Sequence, residues 1–217
     1  MNCKLVIFDL DGVLVDACEW HRQSLNESLK EVCGYEISLE EHNKIYNGLP
    51  TRVKLKKLFD NGIISESDIK NVEQIKQEKT KKVINDKCTI RQEKIDLVSF
   101  LKSKNIKIAC YTNSIKETAL LMLKKTGIIN YFDLIITNED VKYAKPDPEG
   151  YCFCINYFGF SNKETLIIED SENGIQAAKK SGALVHIVKN INDVNIDKIG
   201  SYINENFDSN GWRRNKI

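Results

Sequence analysis

Two aspartates separated by one residue, Asp9 and Asp11, follow a short apolar run and precede Gly12. Carboxylates delivered together to the end of a buried strand suit chemistry, because one can attack an electrophile while the other moves a proton. The same residues are also typical of a turn, since Asp-Gly favours turns and aspartate often caps the helix that follows a strand. The rest of the chain decides between a reactive pair and a turn.

Further polar residues follow apolar runs or precede helical patterns. Thr112 and Asn113 follow one run, Glu169 and Asp170 end another, and Lys145 stands before a proline. Carboxylates are hard ligands that suit Mg²⁺, and a hydroxyl, helix N-terminal amides and a lysine suit phosphate oxygens. Each of these residues alone is equally typical of a helix cap or of the protein surface. Their joint occurrence favours phosphoryl transfer, which requires these groups together.

Five short runs rich in Ile, Val and Leu predict buried parallel strands. They are Leu5–Leu10, Ile106–Tyr111, Leu134–Thr137, Thr165–Glu169 and Leu184–Val188. Helical patterns separate the later four, so we expect an α/β fold with a Rossmann-like parallel sheet, in which ligands bind beyond the carboxyl ends of the strands. Ser114 is predicted to cap the helix after the second strand through a capping box, and Gly127 to end it.

Almost all of residues 16–86 has a helical pattern, whereas an ordinary crossover between parallel strands needs one helix. The sequence therefore predicts a helical cap at 16–86, inserted into a core made of residues 1–15 and 87–217, with hinges near 15–17 and 86–91. A mobile cap that closes over the paired acids is one interpretation. Helices packed permanently on the sheet are the other. The segment 206–217 has no clear period, and it is either frayed or anchored by Trp212.

The composition is that of a globular protein. The 217 residues are 41% hydrophobic and 29% charged, with a formal net charge of +1. The small net charge argues against a dedicated nucleic-acid binder, and no apolar stretch is long enough to span a membrane. We expect a cytoplasmic protein with seven reduced cysteines, a small-molecule partner, no nucleic-acid or membrane partner, and a monomeric or weakly dimeric state.

Four motifs together resemble those of one known group of enzymes. They are Asp9-Leu10-Asp11-Gly12-Val13, Thr112-Asn113, Lys145-Pro146 and Glu169-Asp170. In this order they are similar to the motifs of the haloacid dehalogenase-like hydrolase superfamily, over about residues 3–190. The helical insertion after the first motif resembles the helical-cap subgroup that includes β-phosphoglucomutase and phosphoglycolate phosphatase.

The resemblance implies roles for the motif residues. Asp9 would attack phosphorus and form an aspartyl-phosphate, and Asp11 would protonate the leaving oxygen and then activate water. Thr112 and Lys145 would bind the phosphoryl group. The implied magnesium ligands are Asp9, the backbone carbonyl of Asp11, Asp170 and, directly or through water, Glu169. A carboxylate at Asp11 also favours an oxygen leaving group over a halide.

Substrate binding is expected to involve the cap and Asn113. His21 stands where similar sugar-phosphate enzymes carry a histidine, and Lys76 resembles a cap lysine of β-phosphoglucomutase. Arg52 belongs to the segment Gly48-Leu49-Pro50-Thr51-Arg52, which resembles the cap loop that enters the active site in this subgroup. His21 is equally typical of an ordinary amphipathic helix. Arg52 and Lys76 are equally typical of solvated basic faces, which span Arg52–Lys57 and Lys76–Lys82.

The main hypothesis is a Mg²⁺-dependent phosphatase that hydrolyses a small phosphomonoester, such as a sugar phosphate, through an aspartyl-phosphate. One alternative is a phosphomutase similar to β-phosphoglucomutase, although the arginine of the cap loop is placed differently from the mutase's. A second alternative is a binding or regulatory module without turnover, against which the intact pair of Asp9 and Asp11 argues.

Overall fold

Five parallel strands form one sheet in the computed structural model, which describes residues 2–207. The strands are β1 (Leu5–Phe8), β2 (Lys107–Tyr111), β3 (Leu134–Ile136), β4 (Thr165–Glu169) and β5 (Leu184–Ile187), in the spatial order β3-β2-β1-β4-β5. The predicted α/β fold with a parallel sheet is confirmed. Because β1 pairs with both β2 and β4, the segments that follow these three strands lie at the same edge of the sheet.

Helices surround the sheet and fill the long interval between β1 and β2. They are α1 (Cys18–Cys33), α2 (Leu39–Glu41), α3 (Thr51–Asp60), α4 (Glu66–Lys87), α5 (Gln92–Ser103), α6 (Lys116–Lys125), α7 (Glu149–Phe158), α8 (Glu172–Lys180) and α9 (Ile196–Phe207). A π-helical turn at His42–Tyr46 continues α2, and single 3₁₀ turns lie at Ile129–Tyr131, Asn162–Glu164 and Ile191–Asp193.

The central strand β1 is buried on both faces, as expected for a parallel strand covered by helices. Val6 and Phe8 pack into one hydrophobic cluster with α5, α6 and α9. Leu5 and Ile7 point to the opposite face and pack with α7 and α8. This double burial holds the end of β1, where the paired aspartates begin, in a fixed position.

The helices between β1 and β2 have a hydrophobic cluster of their own. It includes Leu25 and Leu29 of α1, Leu55 and Leu58 of α3, and Val72 of α4. Helix α1 ends at Gly34, whose φ of 68° is left-handed and favours glycine. The last turn of α4 packs into the cluster of the sheet instead, so α4 connects the inserted helices to the sheet.

The predicted cap of α6 is wrong. Helix α6 begins at Lys116, and Ser114 lies before it without capping it. The amide of Lys116 donates to the Glu139 carboxylate at 2.5 Å, and Glu117 pairs with Lys81. The Ser114 hydroxyl donates to a carboxylate oxygen of Asp11 at 2.7 Å, a charge-assisted hydrogen bond that the capping pattern does not indicate.

Other expectations concern the cysteines, the tail and the membrane. All seven cysteines lie within the described residues and are free. Trp212 lies outside the described residues, as does the rest of the chain from residue 208 onward. No helix within residues 2–207 combines the length and the apolar character that crossing a bilayer requires.

Candidate active site

Three carboxylates, those of Asp9, Glu169 and Asp170, meet at the carboxyl ends of β1 and β4. One oxygen of each lies within 4.8 Å of the others. Phe8, the last residue of β1, is aligned with Ile168 of β4, so the next residues of both strands emerge side by side. The parallel register thus brings together acids that are 160 residues apart in the sequence.

Lys145 lies among these acids. Its Nζ is 2.5 Å from Oδ1 of Asp9 and 2.6 Å from Oε1 of Glu169. The rings of Tyr111 and Tyr151 flank the ammonium, with centroids 4.8 and 5.0 Å away. Burial alone would lower the pKa of Lys145, but the two carboxylates outweigh it and hold that pKa well above its usual value. Lys145 is therefore a fixed positive charge.

The Glu169 carboxylate is fully engaged in hydrogen bonds. Oε1 accepts from Lys145 and from the Tyr151 hydroxyl at 2.7 Å, and Oε2 accepts from the amides of Asp170 and Ser171 at 3.0 and 3.2 Å. Asp9 accepts a described hydrogen bond only at Oδ1. Oδ1 of Asp170 is buried and has no hydrogen-bond partner within the described residues. The carboxylate oxygens left open therefore belong to Asp9 and Asp170.

The acidic cluster carries more negative charge than Lys145 balances. Burial, together with the neighbouring Glu169 and Asp170, raises the pKa of Asp9 well above its usual value despite Lys145. Burial and Glu169 raise the pKa of Asp170 to about 7. A cation placed among these groups would keep them ionised. Open carboxylate oxygens and uncompensated charge fit a hard divalent cation.

Asp11 points away from this cluster toward helix α1. Its Oδ1 is 3.0 Å from Nε2 of His21, and its Oδ2 accepts from the hydroxyls of Ser114 at 2.7 Å and Thr112 at 3.3 Å. Burial alone would raise the pKa of Asp11, but His21, Ser114 and the charge of Lys76 outweigh burial and lower that pKa. The two aspartates of the first motif therefore have different surroundings.

His21 connects Asp11 to a second inserted helix. Its Nδ1 is 3.4 Å from Nζ of Lys76 on α4. Burial lowers the pKa of His21, and burial lowers the pKa of Lys76 to about 8. Asp11, His21 and Lys76 thus form a continuous polar chain from the sheet edge into the inserted helices.

The Asn113 side chain joins two loops. It donates to the carbonyl of Gly48, in the loop before α3, at 2.7 Å and accepts from the amide of Lys145 at 3.1 Å. Its backbone N–H has no hydrogen-bond acceptor within residues 2–207. The Thr112 hydroxyl accepts from the amide of Ser114 at 3.0 Å. The side chain of Asn113 is therefore a connector, and its amide is the group open to a ligand.

A cavity of about 860 Å³ separates the sheet edge from the inserted helices. Its sheet side includes Asp9 and Lys145, and its helical side includes Lys76 and the exposed Arg52. A cavity of this size matches a small-molecule site. The structure thus brings every predicted site residue to one acidic cluster or to the cavity beside it.

The sequence interpretation missed three residues of this site. Ser114 was assigned to a helix cap, and its hydrogen bond to Asp11 has no local signal. Tyr151 was not considered, because its partner Glu169 comes from another strand. Lys54 was included in a solvated basic face, although it is four residues before the buried Leu58 on α3. That spacing places Lys54 on the inward side of the helix.

The fold and the site define an enzyme whose acidic residues lie at the carboxyl end of a parallel sheet. The chain matches the model of the haloacid dehalogenase-like hydrolase family over residues 6–188. The chain belongs to this family and is a hydrolase, as its motifs predicted.

Three similar proteins have informative names. The chain is 30% identical over 192 residues to a phosphorylated carbohydrates phosphatase of Thermotoga maritima, covering 88% of each chain. It is 33% identical over 180 residues to a putative pyrophosphatase, PpaX, of Clostridium perfringens, covering 83% of this chain and 81% of the relative. A crystal structure of a putative β-phosphoglucomutase from Thermotoga maritima superposes with a TM-score of 0.63 at 29% identity, covering 84% of this chain and 83% of that one.

Proposed function

We propose that this protein is a Mg²⁺-dependent phosphatase that hydrolyses a small phosphomonoester through an aspartyl-phosphate on Asp9. The observation that carries the proposal is the setting of Asp9. One of its oxygens is bound by Lys145, and the other accepts no hydrogen bond from the described residues beside a cavity of about 860 Å³. A carboxylate held in this way is oriented for attack.

Asp9 and Asp11 have different roles in the proposed reaction. A carboxylate oxygen of Asp9 bonds to phosphorus while the bond from phosphorus to the leaving oxygen breaks. Because its surroundings lower its pKa, Asp11 must first take up a proton, which it then gives to the leaving oxygen. A water molecule then attacks the phosphorus of the acyl phosphate and loses a proton to Asp11. Breakage of the acyl-phosphate bond releases inorganic phosphate and restores both carboxyl groups.

The phosphoryl oxygens need donors that are already in place. Lys145 supplies a permanent positive charge, and the amide of Asn113 has no acceptor within the described chain. The Thr112 hydroxyl donates to Asp11 at 3.3 Å and would have to turn from it to donate to a phosphoryl oxygen. Donors fixed before the reaction stabilise the charge that develops in the transition state.

The proposed metal ligands come from the acidic cluster. Asp170 would hold Mg²⁺ directly with the backbone carbonyl of Asp11 and with the Asp9 oxygen that Lys145 also binds, which leaves the other Asp9 oxygen for the attack. Glu169, whose oxygens are engaged, would contribute through water. When bound, the cation offsets the charge of the carboxylates and of the phosphate.

Residues 16–86 are proposed to act as a cap that admits and encloses the substrate. Their separate hydrophobic cluster and the hydrogen bond between Asn113 and Gly48 support a unit that closes on the sheet. The named relatives favour a phosphorylated carbohydrate or a related small phosphate ester. Free cysteines support the cytoplasmic location, and a monomer or weak dimer remains the expected state.

A phosphomutase is the second candidate function. The contact between His21 and Lys76, together with the similarity to a putative β-phosphoglucomutase, favours it. A mutase would interconvert sugar phosphates faster than it releases inorganic phosphate, and it would require a bisphosphate activator.

The test is phosphate release from p-nitrophenyl phosphate and from a panel of phosphorylated metabolites, with Mg²⁺ and after chelation. The matched control is Asp9→Asn, which preserves shape and removes the nucleophile. We expect Mg²⁺-dependent release by the wild type alone. Equal release by both proteins across the panel would refute the proposed phosphatase, and retention of a cellular partner by both would favour a binding module.

A further inference from the structure

Two buried lysines line the helical side of the cavity without an acidic partner. Lys54 of α3 is 8% exposed and Lys76 of α4 is 7% exposed. The Lys54 ammonium makes no hydrogen bond or ion pair with the described residues, and Lys76 contacts only the imidazole of His21. The other two buried lysines are fully partnered: Lys94 donates to two backbone carbonyls, and Lys145 to two carboxylates.

No group around these two lysines forms an ion pair with them among the described residues. The charge of Asp11 acts on both lysines, but both of its oxygens are occupied by His21, Ser114 and Thr112. His42 lines the same wall, and its Nδ1 is buried without a partner. Burial, and for Lys54 also the charge of Lys76, lowers the pKa of both lysines to about 8. Glu73 of α4 also lines the cavity, but among the described residues it forms no ion pair with either lysine, so both ammonium groups lack a paired carboxylate.

An unpaired buried ammonium destabilises a folded protein unless something compensates it. Burying two of them side by side adds mutual repulsion. Two buried, unpaired ammonium groups are expected where a ligand supplies the negative charge that the protein does not. Residues that destabilise a folded protein are commonly found at functional sites. The cavity gives the ligand access to both ammonium groups.

The ligand that compensates Lys54 and Lys76 needs an anionic group in addition to the phosphoryl group that reacts. That phosphoryl group must lie at Asp9, where Lys145 already provides the cation on the opposite, sheet side of the cavity. The helical wall is held against that side, because Asn113 donates to Gly48 at 2.7 Å and Asn173 donates to Asn47 at 2.8 Å. A ligand that reaches across the cavity meets one cationic group at each end.

We propose that Lys54 and Lys76 form a second anion subsite, and that the substrate is a phosphomonoester carrying a second anionic group, either a carboxylate or another phosphate. This inference rests on the proposed phosphatase function and specifies its substrate class. Lys54 is the determinant to test, because Lys76 also contacts His21 and its removal would disturb the position of Asp11.

The experiment compares kcat/KM within two substrate pairs. The carboxylate pair is 2-phosphoglycolate and 2-hydroxyethyl phosphate, and the phosphate pair is fructose 1,6-bisphosphate and fructose 1-phosphate. Each pair is measured with wild type, Lys54→Met and Lys57→Met. Lys57 is an exposed lysine one turn further along α3 that does not line the cavity, so its variant loses the same charge elsewhere.

We expect wild type and Lys57→Met to prefer the doubly anionic member of at least one pair by tenfold or more. Lys54→Met should lose that preference when its rates are compared with its own hydrolysis of p-nitrophenyl phosphate, whereas Lys57→Met should hydrolyse p-nitrophenyl phosphate at the wild-type rate. The pair that shows the preference identifies the second group as carboxylate or phosphate. The same preference in wild type and Lys54→Met, or no preference in wild type while p-nitrophenyl phosphate is hydrolysed, overturns the subsite and leaves the phosphatase intact.

A binding measurement separates this outcome from failure of the phosphatase proposal. In Asp9→Asn, thermal stabilisation by 2-phosphoglycolate or by fructose 1,6-bisphosphate should exceed that by the singly anionic partner. The double variant Asp9→Asn/Lys54→Met should lose the difference. The same measurement applies if the wild type hydrolyses none of the substrates. A larger stabilisation of Asp9→Asn by the doubly anionic ligand, lost in the double variant, still supports the subsite. Equal stabilisation of Asp9→Asn and the double variant by that ligand rejects it.

Discussion

The imidazole Nε2 of His21 lies 3.0 Å from Oδ1 of Asp11, so the first inserted helix holds the second aspartate of the first motif. Ser114 holds the other oxygen at 2.7 Å. Asp9 is instead bound by Lys145. The two aspartates therefore belong to two different networks, one reaching into the inserted helices and one within the sheet edge, which agrees with the separate roles proposed for them.

Replacing His21 by Asn should lower kcat/KM for alkyl phosphates by about 10–100-fold, because Asp11 loses the partner that orients it. The measurement is steady-state phosphate release, with His186→Asn as the matched control on β5, away from the cavity. Equal rates for the two variants would show that His21 has no role in positioning Asp11.

Replacing Asp11 by Asn should separate the two halves of the reaction. Hydrolysis of alkyl phosphates should fall by about 10²–10⁴-fold, since their leaving oxygen needs a proton. p-Nitrophenolate leaves without one, so rapid mixing with p-nitrophenyl phosphate should show a burst followed by slow turnover. A variant that retains full turnover of alkyl phosphates would contradict the role of Asp11.

Gly12→Ala should disrupt the metal site. Gly12 has a φ of 92°, and a Cβ there would lie 2.1 Å from Oδ2 of Asp170. Apparent Mg²⁺ affinity in the activity assay should fall by roughly 100-fold. The control is Gly34→Ala, which has a left-handed φ of 68° but no atom within 4 Å of the added Cβ. Both variants should lose about 1–2 kcal/mol of stability through backbone strain, so equal Mg²⁺ affinities would refute a site at Asp170.

Lys54→Met should stabilise the ligand-free protein at pH 7 by about 1–3 kcal/mol, because it removes a buried unpaired charge. Burial lowers the pKa of Lys54 to about 8 from 10.5, so the unfolded chain holds the proton more tightly than the folded one. The stability of the wild type should therefore rise with pH between about 8 and 10.5, and the advantage of the variant should shrink across that range. Thermal unfolding at several pH values tests this, and an advantage independent of pH would contradict it.

The sequence predicted the sheet well because parallel strands buried on both faces appear as continuous apolar runs. Four of the five predicted strands extend one or two residues beyond the observed ones, and Thr165–Glu169 agrees completely. The acids of the candidate site could be placed at one edge because strand ends of a parallel sheet share an edge.

Other parts of the site depend on contacts between distant residues. The local pattern around Ser114 is that of a capping box, but the helix begins one residue later than the pattern requires, and the hydroxyl donates to Asp11, 103 residues away in the chain. Lys54 looked solvated because lysine is usually exposed, and only the helical phase shared with Leu58 indicated burial. The hydrogen bonds that occupy Glu169 come from Lys145 and Tyr151, whose positions follow from the fold rather than from spacing.

The central claim is that Asp9 carries the phosphoryl group. The most direct measurement is acid quenching during turnover of the slow Asp11→Asn variant, followed by peptide mass spectrometry of the segment that contains Asp9. We predict a mass increase of one phosphoryl group on that peptide, removed by hydroxylamine and absent from Asp9→Asn. Substrate turnover that depends on Asp9, without any phosphorylated peptide at any quench time, would contradict the covalent mechanism.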